Sequence, residues 1–185
     1  MCCGHYATGL MWQCSSITGC LTLNHDTMKI KHAPIGSISH GTLRTEDLLS
    51  AFSSELDWQF RSNGNYFALP ENRDEGRKIH ELCGECDDQY EEDGETLKDE
   101  CVADELIERL AIALHQFAPP YCYFGSHEGD GSDFGFWPDV QAIEDLPMVE
   151  GSDGAVELGD DCRSVNDHGN VTVYSGSGEV LLELV

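Results

Sequence analysis

The sequence predicts an α+β fold in which an antiparallel sheet of about four to five strands packs against two main amphipathic helices. Three observations predict it. Apolar residues recur at helical spacing in two segments, 48–60 and 102–117, each on one face. Two short aromatic runs, YCYFGSH and DFGFW, flank the polar, glycine-bearing HEGDGS. The C-terminal end reads as three strand-like runs, CRSVN, VTVYS and EVLLELV, separated by DHGN and GSG turns.

In chain order, KIKHAPIGSISHGTL is a short extended stretch punctuated by Pro34, Gly36 and Gly41. Thr45 is the expected N-cap of the first helix, with Glu46 and Asp47 at the positive end of its macrodipole. Leu48, Leu49, Phe52, Leu56 and Phe60 form its apolar face, and Asn63-Gly64 is expected to end it, glycine taking the terminating role. Residues 65–98 carry fewer apolar side chains. A helix around Asp74 to Tyr90 and an acidic, mobile connector within 87–98 are both compatible with their composition. In DECVADELIERLAIALHQF, Val102, Leu106, Leu110, Leu114 and Phe117 line one face and Glu100, Asp104, Glu105 and Glu108 fall largely on the other. Pro119-Pro120 stops this helix. The two aromatic runs then make a hairpin whose alternation divides Tyr121, Tyr123, Phe134 and Phe136 between the sheet faces, and WPDVQAIEDLP gives a short helix closed by Pro147.

A chain of 185 residues is long enough for one domain with a full core, without staples. Residues 28–185 are read as that domain. Residues 1–27, with four of the nine cysteines, are read as an extension upstream of a start at Met28. The extension lacks the basic and apolar regions of a secretion signal, and no run of 18 apolar residues occurs. Retention in the cytosol, with free thiols, is the expectation.

Charge is the outstanding property: 35 acids against 10 bases, for a net −25. Residues 1–70 carry five acids and four bases, residues 71–109 sixteen and five, and residues 110–185 fourteen and one. Such a surface repels nucleic acid and anionic membranes, so neither is an expected direct ligand.

Several residues are candidates for chemistry. His127, Glu128, Asp130 and Asp133, with Trp137 beyond them, concentrate polar groups in the hairpin loop. His127 with Asp130 and Asp133 offers one nitrogen and two oxygens to a divalent cation, the basis of a metal-dependent enzyme. Phe134 stands where an EF-hand needs another oxygen ligand, and an Asx-stabilised turn or a partner contact explains the same residues without metal. His80, Cys83 and Cys86 form H-x-x-C-x-x-C, a partial zinc or redox motif. No second cysteine pair follows at the spacing a zinc knuckle uses, and the cysteines serve equally as small core residues of a helix. His168, in NDHGN, fits a tight turn between strands. No nucleophile elbow, Walker loop, dinucleotide fingerprint or H-E-x-x-H occurs, and no cofactor is expected.

Two stretches, GTLRTEDLLSAF and APPYCYFGSHEGDGSDFGFWPD, with the later VNDHGNVTVY, resemble a group of small acidic proteins of phages, plasmids and other mobile elements that share a tyrosine-phenylalanine-glycine, Gly-Asp-Gly, Phe-Trp core. The resemblance spans most of residues 36–185 and implies an origin, with no catalytic role to carry onto any residue. The composition and the origin together lead to the expectation of a non-enzymatic protein that meets a basic partner surface through the acids of 99–108, in the manner of a nucleic-acid mimic. The competing explanation is that acidity serves solubility alone.

Overall fold

The computed structural model describes residues 29–94 and 96–185; the expected extension 1–27 lies outside the described residues. The order is β1 (Gly36–His40), α1 (Thr45–Ser62), α2 (Gly64–Phe67), α3 (Arg73–Asp87), α4 (Glu100–His115), β2 (Cys122–His127), β3 (Asp130–Pro138), α5 (Val140–Glu144), α6 (Gly151–Leu158), β4 (Cys162–Val165), β5 (Val171–Tyr174) and β6 (Val180–Leu184). The α+β class agrees with the sequence reading, but the single sheet does not: the strands form two antiparallel three-stranded sheets, β1-β3-β2 and β4-β5-β6. The hairpin takes its third strand from the stretch before α1, which leaves the C-terminal strands to make a sheet of their own.

The helices α1, α3 and α4 pack with the first sheet around one large core. Leu49, Phe52 and Leu56 meet Ile79, Leu82 and Cys86 from α3, Leu106, Leu110 and Leu114 from α4, and Phe124 and Phe136 from the sheet. Phe52 sits edge-on to Phe124 at 4.9 Å and to Phe134 at 5.5 Å, so one α1 side chain ties helix to sheet. Gly135 is required by the pairing of β1 with β3: a β-carbon there would lie 2.1 Å from the carbonyl oxygen of Gly36.

Local predictions at the helix ends are corrected. Thr45 is the first residue of α1, not its cap; Arg44 precedes it without a side-chain capping bond, and the Thr45 hydroxyl donates to Asp104 on α4 at 3.0 Å. Asn63 terminates α1 and Gly64 opens α2. The Asn63 side chain accepts from the Lys31 amide at 2.6 Å and donates to the Lys31 and Gln59 carbonyls, which anchors the incoming chain. Asp99 caps α4, a role the sequence reading did not assign, accepting from the amides of Cys101 and Val102. Val102 is 40% exposed, not core-facing, and Ala103 takes its place. Residues 89–94 and 96–98 double back on each other: Tyr90 and Leu97 bridge, Lys98 N donates to Gln89 O, and the Tyr90 hydroxyl donates to the Glu46 carbonyl. The helix α6 has no counterpart in the sequence reading, because Gly151 and Gly154 dilute its helical signal.

The C-terminal sheet rests on a smaller cluster made by Cys122, Ile143, Val173 and Leu182. Tyr121 joins the two regions. It holds a positive φ of 61°, accepts from the Asp139 amide at 2.8 Å, and donates its hydroxyl to Asp161 at 2.7 Å. Among the described residues no helix is long and apolar enough to cross a membrane.

Candidate functional site

Alternation along β2 and β3 places Phe124 and Phe136 on the core and Tyr123 and Trp137 opposite each other on the outer face. His127 joins that outer face, edge-on to Trp137 at 4.7 Å. The Trp137 indole N–H donates to the Gly125 carbonyl and the Tyr123 hydroxyl to the Ser126 carbonyl, so both polar handles are already bonded within the hairpin.

The loop residues proposed for a cation point to different tasks. Asp130 accepts from the Ser132 amide at 2.9 Å and its hydroxyl at 2.8 Å, the geometry of an Asx turn; these bonds hold its carboxyl below the usual range, helped by His40 and His127. Gly129 N donates to Nδ1 of His127 at 3.0 Å. Asp133 belongs to β3 and faces β1, where Ser37 donates to it at 2.5 Å and His40 Nδ1 lies 3.5 Å away. Glu128 is exposed at the tip. Turn and register chemistry thus accounts for His127, Asp130 and Asp133.

His80 and Cys83 line a cleft of about 260 Å³ between α1 and α3 with Ser53, Asp57, Arg61 and Asp87, whereas Cys86 turns into the core. Burial pushes the Cys83 thiol up to about 11 and the Cys86 thiol to about 12, so both are protonated in the free chain at neutral pH. Among the described residues no group of three or more His, Cys, Asp or Glu side chains is arranged to hold a metal ion. His168 lies in the β4–β5 turn, its amide donating to Asn166 Oδ1 at 2.9 Å.

No family model, curated protein or solved structure matches this chain. The reading of the surface therefore rests on its own geometry.

Glu100, Asp104, Glu105 and Glu108 are all exposed on α4, and none is ion-paired with a Lys or Arg among the described residues. Asp104 accepts from Thr45; the other three face solvent. Beside them, Arg109 reaches across to Glu85 of α3 in a two-pronged ion pair at 2.5 and 3.2 Å. This pair divides a groove between the antiparallel α3 and α4 into a 320 Å³ part beside Lys78, Glu81, Leu82 and Ile112 and a 180 Å³ part beside Asp88, Val102, Glu105 and Leu106. The sequence reading missed Glu81, Glu85, Asp88, Arg109 and Ile112 as residues lining this groove, which Glu105 borders. Glu81 and Glu85 are spaced i, i+4 on α3, but only the packing of α3 on α4 brings them beside Arg109 and Ile112.

Proposed function

We propose that this chain is an interaction protein that engages a basic surface on a protein partner, using the carboxylates of α4 where a nucleic acid would otherwise present phosphates. The observation that supports the reading is that Glu100, Asp104, Glu105 and Glu108 stand exposed on consecutive turns with no cation of the described chain paired to them. Carboxylates three and four residues apart repel one another, by a few tenths of a kcal/mol per pair, and a cationic partner relieves that repulsion. Within this reading the partner is a nucleic-acid-binding protein, and for a chain of mobile-element origin it is a host defence protein. Association is steered by the field of the whole acidic surface and weakens with salt.

The test is displacement of a labelled DNA duplex from a basic, sequence-nonspecific DNA-binding protein, at several salt concentrations. The wild-type chain is expected to displace the duplex. A variant with Glu100→Gln, Asp104→Asn, Glu105→Gln and Glu108→Gln is expected to need at least about tenfold more protein, although it loses only four of 25 net negative charges. Equal potency of the two proteins would assign the effect to bulk acidity and remove α4 as the interaction face.

A further inference from the structure

The groove between α3 and α4 combines two features that a charged, solubilising surface does not require. Its rim is acidic, with Glu81, Glu85 and Asp88 on one side and Glu105 on the other, against Lys78 and Arg109. Its ends carry exposed aliphatic side chains, Val102 at 40% and Ile112 at 76% exposure, over a floor that includes Leu82 and Leu106. Single exposed aliphatics are ordinary on a protein surface; two at opposite ends of one acidic groove are a spacing. From Val102 to Ile112 the helix advances about 15 Å at 1.5 Å per residue, which matches some three turns of a second helix.

We infer that this groove receives an amphipathic helix of the partner, with aliphatic side chains set against Val102 and Ile112 and lysines or arginines along its flanks. This rests on the acidic-interaction reading above and names the partner's shape. Charge complementarity selects the occupant: an acidic helix meets like charge along the rim, and an uncharged one leaves the carboxylates without partners. The Arg109–Glu85 ion pair lies across the path and sets a competition. A partner arginine takes over Glu85 in the same two-pronged geometry that Arg109 now uses.

The experiment uses the full chain and two fluorescently labelled peptides of identical composition, rich in Lys and Leu. One has its leucines at i, i+3, i+7 and i+10, and the other is scrambled to break that face. The amphipathic peptide is expected to bind about tenfold tighter than the scrambled one at physiological ionic strength, the ratio expected from seating one aliphatic side chain. Ile112→Ser, at a position too exposed to affect folding, is expected to remove most of that preference and leave scrambled-peptide binding unchanged. Arg109→Gln is expected to tighten the amphipathic peptide several-fold. Equal binding of both peptides, or an Ile112→Ser variant that keeps the preference, overturns the groove and leaves the acidic-interaction reading standing. Failure of both peptides to bind overturns both.

Discussion

The helical region and the C-terminal sheet solve the same burial problem at different scales. In the first, three long helices and a sheet enclose a continuous cluster running from Leu49 and Phe52 to Leu114 and Phe136. In the second, a three-stranded sheet is held by Cys122, Ile143, Val173 and Leu182, with the Tyr121 hydroxyl bonded to Asp161 at the junction. The two clusters are unequal in size, and the acids of α4 stand over the larger one. The large core beneath α4 lets Glu100, Asp104, Glu105 and Glu108 remain unpaired without loss of the fold.

The comparison breaks most visibly at Phe52. Phe52→Ala removes the ring that meets both Phe124 and Phe134 and is expected to cost about 3–5 kcal/mol, unfolding helices and first sheet together. Leu182→Ala is expected to cost about 2–3 kcal/mol and to raise amide exchange in β4–β6 before the helices respond. Hydrogen exchange read element by element distinguishes the two patterns; equal acceleration everywhere in the Leu182 variant would make the molecule one cooperative unit.

A test confined to the first sheet comes next. Gly135→Ala forces a methyl group onto the Gly36 carbonyl and is expected to cost about 2–4 kcal/mol by displacing β1 from β3. Denaturant unfolding measures the loss, and a near-neutral result would mean that β1 contributes little to the pairing.

The smallest expected effect is at the junction. Tyr121→Phe deletes the hydrogen bond to Asp161 and is expected to cost about 1 kcal/mol. It also weakens the pH dependence at the alkaline end. Burial and then Asp161 push the Tyr121 hydroxyl up to about 12 from its ordinary 10.0. Between those values the unfolded chain has released a proton that the folded chain retains, so stability falls as pH rises through this window. Burial raises Cys83 and Cys122 to about 11 and Cys86 to about 12, which starts the same decline from the ordinary thiol value of 9.0. Unfolding measured against pH should show a shallower decline above about 10 for the Tyr121→Phe variant. An unchanged decline would assign the alkaline loss to the thiols.

Much of the fold was legible because helix and strand periods are local. The stripe of α1, the stripe of α4 apart from Val102, the aromatic hairpin and the C-terminal meander occupy their expected places. The acids of α4 were legible as exposed for the same reason. Val102 was misread because it sits at the edge of its stripe, where packing of α3 against α4 decides whether a side chain is covered. Asp133 was read with the loop because it follows Gly-Asp-Gly-Ser, yet strand pairing turns it toward Ser37 and His40, nearly a hundred residues earlier.

By itself the sequence determined that α1, α4, the aromatic hairpin and the C-terminal strands form, which face of α1 and α4 is largely apolar, and how much negative charge the chain carries. Only the tertiary structure decided that the strands divide into two sheets, that Thr45 serves Asp104 instead of capping its own helix, and that α3 and α4 enclose an acidic groove. A periodic pattern specifies that a face must be buried or charged and contains no term for the segment that will lie against it, since that choice is made by packing between residues far apart in the chain.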